Sequence, residues 1–463
     1  MRVVRNRMKR TAAVLVLAAL LATIPFCTSK TDAPADRGET PFPRLGNYAD
    51  LYLRGSYDVL HMIKVRELGK VGLAAKIAAQ RKLSGGRIVS RIGTPHIMFA
   101  GAGAADMPGN PGIAPDPKNG FHGYNGEPAL GKGDFLMVAN PNMHVEGARA
   151  NGCFVLGIGF PMTTNRYSPP QFNDHPDDFI EDMSDLFIYT WGPKEDGLVT
   201  PALTPNLKIL PTSPMTVVAY WLMTAQIAHN LAHDDTSGSC EAAAAYLDTL
   251  MARLDDFHAR HLGDINRAGE IIAQRVLGGG RIRPWCGRDE FWIEANGTAG
   301  GLMGVYPLYT SPDLPYAQIK LPKESDDPLS SRDIVILAAA DSTPVREIAM
   351  ARKVRERGAW ILGIFPFHRE DGISTQSLRE LCDMSLDNLS GDRYGVLDVP
   401  GYPNKIIPTV TMMNNFAFWA VVGAYVQAME RRGVAPYYWM SFHVPGGKAY
   451  DDSIRPYFLE RGY

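Results

Sequence analysis

The stretch Gln80-Arg81-Lys82-Leu83-Ser84-Gly85-Gly86-Arg87-Ile88 occurs a second time as Gln274-Arg275-Val276-Leu277-Gly278-Gly279-Gly280-Arg281-Ile282. The two stretches begin 194 positions apart (274 − 80), and the same offset relates Gly93 to Gly287 and Gly103 to Gly297. An offset kept over this distance indicates an internal duplication. Because glycine just past a helix can take the left-handed conformation that ends it, each copy predicts a helix, a glycine turn and then a strand.

Each copy continues with the same order of predicted elements around its glycine turn. The first copy predicts helices over 48–83, strands at 94–100, 134–139, 152–158 and 185–189, and a closing helix at 215–231. The second predicts helices over 240–277, strands at 289–294, 333–338 and 358–364 and near Cys382, a connecting helix at 344–357 and a closing helix at 412–429. Continuous apolar strands suit a parallel sheet that is buried on both faces. The predicted fold is α/β: two tandem three-layer αβα sandwiches with parallel sheets, whose strands end at a ligand crevice.

Composition excludes some classes of partner. The chain has 463 residues, a formal net charge of −2 and a charged fraction of 21%. A nearly neutral chain of ordinary composition gives no reason to expect a nucleic acid as partner.

The first residues are typical of an export signal. Several arginines and Lys9 precede an apolar run from Ala12 to Ile24, which is short for a membrane span. Cys27 ends this region and leaves three alternatives open: lipid attachment at Cys27, ordinary cleavage and an uncleaved anchor. We expect a signal at 1–27, a linker at 28–44, the first domain at 45–237, the second at 238–435 and a tail at 436–463. The protein is therefore predicted to be periplasmic or membrane-anchored.

Neither a metal nor a cofactor is predicted. The four later cysteines lack metal-finger spacing, and their disulfide pairing stays open among three possibilities; Cys153, in an apolar strand, is expected to be a buried free thiol. His229 and His233 are spaced four apart on one helix, but no third ligand is identifiable. Gly101-Ala102-Gly103 follows a predicted strand without the third glycine of a dinucleotide-binding turn.

The order of the predicted elements and the short sequence motifs resemble the sugar isomerase (SIS) domain family, with two such domains in tandem over most of residues 50–435. The tail Ser441-Phe442-His443-Val444-Pro445-Gly446-Gly447 resembles the ending of a little-characterised bacterial SIS subfamily, although His443 stands where that subfamily usually has Asn. The resemblance implies a small-molecule ligand that is a sugar or a sugar phosphate.

The family's phosphate-binding turn is eroded here. In SIS domains a serine-rich turn after the second strand holds the phosphate. The matching segments in this chain have lost most of these hydroxyls: they are Ala139-Asn140-Pro141-Asn142 and Ala338-Ala339-Ala340-Asp341-Ser342-Thr343. The family's hydroxyl-containing motif before the closing helix is better preserved, as Pro211-Thr212-Ser213-Pro214 and Pro408-Thr409-Val410-Thr411. These hydroxyls could cap the helix, face the ligand or do both. The ligand-binding residues that the resemblance implies are Gly101, Gly103, Asn140, Asn142, Thr212, Ser213, Gly297, Thr298, Ser342, Thr343, Thr409 and Thr411.

Aldose–ketose isomerisation needs a base that moves a proton between neighbouring carbons. We predict His144, Glu347 and His443 as the catalytic candidates, with Glu146, Glu294 and Lys448 as further candidates near strand ends or in the tail. The family's helix-start Glu aligns with Arg346, or with Glu347 after a slip of one residue.

Two functions follow as expectations. The first is an exported protein that binds a carbohydrate derivative, with aldose–ketose isomerisation as its reaction if it is an enzyme. The alternative is a non-catalytic sensory or structural protein of the cell envelope with degenerate SIS domains. An uncleaved signal or a lipid on Cys27 would attach the protein to the membrane, whereas ordinary cleavage would leave it free in the periplasm. Closing helices that were exposed would suit a homo-oligomer.

Overall fold

The computed structural model describes residues 46–91, 113–115, 130–139, 145–160, 180–193, 197–235, 237–286, 290–295, 298–306, 308, 328–339, 345–369, 372, 374–392, 395–441 and 446–463. Of the predicted features, the export signal, the linker, Cys27 and the strand at 94–100 lie outside these ranges.

The first copy begins with two helices and ends with one. Its helices are α1 (Tyr48–Arg66), α2 (Leu68–Leu83), α3 (Val145–Ala150), α4 (Ile180–Met183) and α5 (Pro214–His233). Its strands are β1 (Ile88–Arg91), β2 (Ile113–Pro115), β3 (Phe135–Val138), β4 (Phe154–Gly159), β5 (Leu186–Tyr189), β6 (Gly197–Val199) and β7 (Ile209–Pro211).

The second copy repeats this order with a longer first helix. Its helices are α6 (Glu241–Leu277), α7 (Glu290–Ala295), α8 (Val345–Glu356), α9 (Gln376–Leu381) and α10 (Val410–Glu430). Its strands are β8 (Ile282–Cys286), β9 (Ile334–Ala338), β10 (Trp360–Phe365) and β11 (Met384–Asp387). The tail forms α11 (Gly447–Arg461).

Both main sheets are parallel. The first has the strand order β2-β1-β3-β4-β5 and the second the order β11-β10-β9-β8. Ile88 of β1 pairs with Ile113 of β2, and Ile282 of β8 forms a parallel bridge with Val305, so the neighbour of β1 has a counterpart of one residue in the second copy. The order β2-β1-β3-β4-β5 is that of flavodoxin-type folds, in which the connection reverses between β1 and β3.

The two sheets share one helical layer. On the first sheet Phe135 and Met137 point into the same core cluster as Ile334 and Ile336 of the second sheet, together with the long helices α1, α2, α5, α6 and α10. The alternate residues Leu136 and Val335 point outward, against α3 and α4 on one sheet and α8 and α9 on the other. Side chains that alternate between two apolar layers are expected of strands buried on both faces. The predicted αβα sandwiches are therefore confirmed, with their inner helices joined into one core.

The duplicated glycine turn has the same physical role in both copies. Gly85 and Gly279 have φ values of 88° and 85°, a left-handed conformation that ends α2 and α6. A Cβ on Gly86 would lie 2.0 Å from the Gly133 carbonyl oxygen, and one on Gly280 would lie 2.1 Å from the Arg332 carbonyl oxygen. The chain can approach the start of the next strand this closely only without a side chain.

One predicted strand is wrong. Residues 289–294 were expected to form the strand after the second glycine turn, but the strand is β8, directly after the turn, and the apolar run lies in helix α7. Phe291 of α7 packs edge-on against Phe418 of α10, with 5.3 Å between ring centroids. A short apolar run fits a strand and a buried helix equally well from periodicity alone, and here tertiary packing decides.

The closing helices are not exposed, which corrects the expectation on which a helix-mediated oligomer depended. Almost every residue of α5 and α10 is buried, and α10 packs against α6 and α1. No helix within the described ranges combines the length and apolar character that a membrane crossing requires.

Candidate functional site

The carboxyl edge of the second sheet collects polar residues at the point where the connection reverses. Parallel strands end at the same edge, and α/β sheets bind ligands outside these ends where the strand order reverses. In the second copy the bridge between Ile282 of β8 and Val305 puts that point between β8 and β9. Helix α7 follows β8, and Ala339 follows β9.

Glu294 is the central group of this edge. It lies in α7 and is 1% exposed. The hydroxyl of Ser213, which immediately precedes α5 of the first copy, donates to Glu294 Oε1 at 2.6 Å. The Thr298 hydroxyl donates to the Glu294 carbonyl oxygen at 2.8 Å. The site is therefore built by both copies, across a sequence separation of 81 residues.

The backbone fastens these segments together. The Leu210 N–H donates to the Gly300 carbonyl at 2.9 Å, and Gly300 and Trp439 are joined by a hydrogen bond of 2.8 Å. Tyr52 of α1 also adjoins this cluster: its burial raises its pKa, and the negative charge of Glu294 adds to that effect. Tyr52 therefore stays protonated beside a carboxylate.

A second polar cluster lies at the same edge, around the start of α10. Arg253 of α6 contacts the Asp392 carboxylate and the Thr409 hydroxyl, and the Thr409 hydroxyl is 3.3 Å from the Ser390 hydroxyl. The Asp392 side chain is fully buried. A buried carboxylate is tolerated because an arginine and hydrogen-bond donors meet it.

Two asparagines extend this cluster to the end of β9. Asn388 Nδ2 donates to Asn414 Oδ1 at 2.7 Å, and Asn414 Nδ2 donates to the Ala339 carbonyl at 3.1 Å. Asn414 thus satisfies the main chain just past β9, where a helix-facing carbonyl would otherwise be buried without a partner.

The hydroxyls before the closing helices do not act as side-chain caps. Ser213 and Thr409 occupy the capping positions of α5 and α10, yet neither side chain accepts a bond from the first turn of its helix. Both hydroxyls are used in the polar clusters instead. Thr212 is buried against the chain that follows β5, where a Cβ on Gly192 would lie 2.4 Å from its Oγ1.

The remaining predicted residues divide into three groups. Glu347 is buried in the first turn of α8, after β9. Thr411 is half-buried, and Lys448 is exposed on α11, where it pairs with Asp452 at 2.5 Å. His144, His443, Gly101, Gly103, Asn140, Asn142, Gly297, Ser342, Thr343 and the side chain of Glu146 lie outside the described residues.

Sequence reasoning missed Arg253, Asn388, Ser390, Asp392 and Asn414. One signal was present: Asn414 and Asn415 interrupt an otherwise apolar helix, and buried amides need partners. Arg253 carried no such signal, because an arginine on a long helix usually faces solvent.

The described residues form no group of three His, Cys, Asp or Glu side chains that could hold a metal ion. The His229 and His233 rings are 4.2 Å apart, and His233 Nδ1 is 2.9 Å from the His229 carbonyl oxygen. Burial, and then the neighbouring His233, lowers the pKa of His229. Cys153, Cys286 and Cys382 are free thiols, and Cys153 is buried as predicted.

Known proteins show remote similarity to this chain. No family model matches. A UPF0309 protein from Brucella anthropi is 24% identical over 222 residues, which cover 44% of this chain and 91% of the relative. A UPF0309 protein from Streptomyces griseus is 22% identical over 242 residues, covering 47% of this chain and 96% of the relative.

Two solved structures illustrate the structural similarity. The tagatose-6-phosphate ketose/aldose isomerase of Escherichia coli is 12% identical and aligns over 85% of this chain and 97% of its own, with a TM-score of 0.43. The C-terminal domain of glucosamine-fructose-6-phosphate aminotransferase from Francisella tularensis is 9% identical over 81% of this chain and 96% of its own, with a TM-score of 0.42. The predicted resemblance to SIS domains is confirmed at the level of the fold, because the structure has the two αβα sandwiches with parallel sheets that it implied.

Proposed function

We propose that the protein binds a carbohydrate derivative at the carboxyl edge of its second sheet. The observation that carries this proposal is the buried Ser213–Glu294 hydrogen bond, which brings a hydroxyl of one copy to a carboxylate of the other where α/β sheets bind ligands. The Ser213 hydroxyl makes this bond and no side-chain cap of α5.

The chemistry of the edge suits a hydroxyl-rich ligand. Carboxylate, hydroxyl and amide groups accept and donate hydrogen bonds, and a sugar offers both kinds of partner. Arg253, the cation of the second cluster, is held by Asp392 and Thr409. A phosphate would therefore have to compete with Asp392 for this guanidinium, which favours a neutral sugar or an amino sugar.

We propose Glu294 as the proton-transfer base if the ligand is isomerised. A carboxylate shielded from water can move a proton between neighbouring carbons, and a positioned base of this kind contributes about 10²- to 10⁴-fold to a rate. The Ser213 hydroxyl holds the carboxylate in one orientation. Glu347, which is buried in the first turn of α8 after the adjacent strand β9, is a further carboxylate at this edge.

One observation favours the alternative of a non-catalytic envelope protein. The polar side chains of the second cluster bond to one another, as in the Asn388–Asn414 pair and the Arg253–Asp392 pair. Such a network can specify a packed core without any ligand.

The cellular setting is also a proposal. We propose that residues 1–27 direct export to the periplasm, and that the mature protein stays at the membrane through an uncleaved anchor or a lipid on Cys27. Self-association into a homo-oligomer would need a surface other than α5 and α10, which are buried.

A thermal-unfolding screen of the full chain tests the ligand class. The panel is glucose, fructose, glucosamine and glucose 6-phosphate, and a specific ligand at a hundredfold excess over Kd stabilises the fold by about 2.7 kcal/mol. We expect the neutral or amino sugar to stabilise more than the phosphate. Stabilisation by the phosphate alone that is lost in Ser213→Ala would contradict the proposed ligand. No stabilisation by any of the four compounds would favour the envelope alternative.

An isomerisation assay then tests the reaction. Interconversion of the stabilising aldose and its ketose is followed by proton NMR, with Glu294→Gln as the variant that keeps shape and removes the base. We expect the variant to lose turnover and to keep binding. Equal turnover by both proteins would remove Glu294 from the proposed role.

A further inference from the structure

A pocket separate from the Glu294 site lies on the first copy, beside the end of β5. It has a volume of about 430 Å³ and is lined by Arg66, Glu67, Lys70, Tyr189 and Trp191. This volume falls in the range of small-molecule sites, roughly 300 to 1,000 Å³. The lining combines two aromatic rings, two cations and one carboxylate.

Glu67 organises the pocket from below. It is 1% exposed and stands between α1 and α2, ending one helix and preceding the other. Its Oε1 accepts from Trp191 Nε1 at 3.0 Å, and its Oε2 accepts from Lys70 Nζ at 2.9 Å and from the Tyr189 N–H at 3.2 Å. The carboxylate therefore fixes both the Trp191 ring and the Lys70 ammonium.

The two aromatic rings that line the pocket are tilted against each other. The Tyr189 and Trp191 ring centroids are 5.9 Å apart, with 54° between the ring planes. Lys70 Nζ lies over the Tyr189 ring at 4.8 Å from its centroid, and the Tyr189 hydroxyl contacts Glu181. Rings at this angle cannot sandwich a flat aromatic base, but one free ring face can bind the C–H face of a puckered sugar ring.

Among the five lining residues, the two cations differ in their partners. Lys70 is neutralised by Glu67, whereas Arg66 is exposed and has no carboxylate partner within the described ranges. A guanidinium presents a fork of donors that matches a carboxylate or a phosphate.

The second copy shows that the fold does not require these residues. With the 194-residue offset, Arg66, Glu67 and Lys70 correspond to Arg260, His261 and Asp264. Tyr189 and Trp191, at the ends of the last strands, correspond to Asp387 and Leu389. Helix α6 runs through this position without a break, and Arg260 pairs there with Asp256. Trp191 and Leu389 have similar positive φ values, 56° and 58°. The backbone conformation at this position is therefore common to both copies, and only the side chain differs.

We propose that this pocket binds an acidic sugar, with the ring stacked on Trp191 and the acidic group on Arg66. The acid is a sugar carboxylate or a sugar phosphate, which share the same chemistry toward a guanidinium. The pocket is independent of the Ser213–Glu294 site and does not rest on the function proposed for that site.

Isothermal titration of the full chain tests the proposal, with glucuronate, glucose 6-phosphate, glucose and inorganic phosphate as probes. We expect at least one acidic sugar to bind with a Kd on the order of 1 mM or tighter. The two acidic sugars distinguish the carboxylate from the phosphate. The titration is repeated with Ser213→Ala, which impairs neutral-sugar binding at the Glu294 site, and adenosine monophosphate is added there as a probe with a flat base. No binding by either acidic sugar would overturn the proposal. So would binding of glucose or adenosine monophosphate to Ser213→Ala that is as tight as that of the acidic sugars.

Three variants assign the binding to this pocket. Arg66→Gln should weaken acidic-sugar binding about tenfold or more, because it removes a charge-assisted contact. Arg260→Gln changes the equivalent arginine of the second copy and should leave binding unchanged. Trp191→Leu installs the residue that the second copy tolerates at Leu389 and should abolish acidic-sugar binding. Unchanged binding by Arg66→Gln or by Trp191→Leu would overturn the proposal.

Two further measurements keep the result interpretable. If Trp191→Leu does not fold, Trp191→Phe retains a ring and should bind acidic sugars more weakly than the unmodified chain but detectably, and a complete loss would overturn the stacking role. Ser213→Ala should leave this titration unchanged even where it abolishes binding at the Glu294 site, so the two proposals fail separately.

Discussion

Asp134 and Asp333 occupy equivalent positions in the two copies, just before β3 and just before β9. Asp134 accepts from the Arg87 N–H at 2.9 Å and Asp333 from the Arg281 N–H at 3.0 Å. Asp185 and Asp383 likewise accept from the N–H groups of Val155 in β4 and Ile361 in β10. At this amino edge the copies are chemically alike.

The opposite edges of the same sheets differ. The positions of Arg253 and Asn414 in the second copy correspond to Val59 and Val217 in the first, and Trp191 in the first corresponds to Leu389 in the second. Two copies of one fold thus serve as controls for each other: a residue found in both is explained by the fold, and a residue found in one is a candidate for function.

The largest effect should come from the shared glycine turn. Gly86→Ala and Gly280→Ala would each place a Cβ about 2 Å from a backbone oxygen, and we expect each to lower the free energy of unfolding by about 4 kcal/mol. Urea unfolding measures both. Gly69→Ala is the control, because its Cβ meets open space within α2, and it should be neutral or slightly stabilising. A much smaller loss of unfolding free energy at one turn than at the other would contradict the claim that the two turns are physically equivalent.

The shared aspartates should differ in size of effect. Arg283 and Asp333 are each 4% exposed, whereas Arg87 is 41% exposed beside Asp134. Asp333→Asn removes the buried carboxylate that pairs with Arg283 and should cost about 3 kcal/mol, whereas Asp134→Asn at the more exposed pair should cost about 1 kcal/mol. Chemical unfolding of both variants checks the order, with the exposed Asp256→Asn as a control near zero. Equal losses would show that burial does not separate the copies here.

A smaller, pH-dependent effect on the free energy of unfolding should come from the tail, which follows the second copy and has no counterpart after the first. Asp451 of α11 accepts from the Met440 N–H at 2.8 Å, and burial raises its pKa from 3.8 to about 6. An acid whose folded-state pKa is raised stabilises the fold most when protonated, so this contribution is lost as pH rises through about 6. Relative to the unmodified chain, Asp451→Asn should gain about 2 kcal/mol at pH 8 and less at pH 5.

Melting curves between pH 5 and pH 8 check this prediction. Asp452→Asn is the matched control, because Asp452 is exposed and its pKa is lowered by Lys448. A gain that stays constant with pH would contradict the role of Asp451.

The sequence predicted the repeated part of the molecule and little of the part that differs. The second and third strands of each copy are continuous apolar runs, and the structure places β3, β4, β9 and β10 within two residues of the predictions. Helix α11 was not predicted as a helix, because Gly446 precedes it, Gly447 is its first residue and Pro456 lies inside it.

The candidate site was harder to predict for a physical reason. Ser213 and Glu294 belong to different copies, and no local pattern indicates a contact between them. Thr212, Ser213 and Thr409 were predicted from the sequence motif before each closing helix. The hydrogen-bond partners of Ser213 and Thr409 include residues from distant parts of the chain and are visible only in the packed structure.

Ser213 provides the most direct test of the central claim that the edge joined by both copies is a carbohydrate site. The measurement is the Kd of the best neutral sugar for Ser213→Ala and for Thr249→Ala, a matched change on the exposed face of α6. We expect Ser213→Ala to weaken binding about tenfold or more, since a hydrogen bond to a charged group contributes about 1.5 to 3 kcal/mol, and Thr249→Ala to bind like the unmodified chain. Equal affinities in the two variants would contradict the account and leave the Ser213–Glu294 contact a structural one.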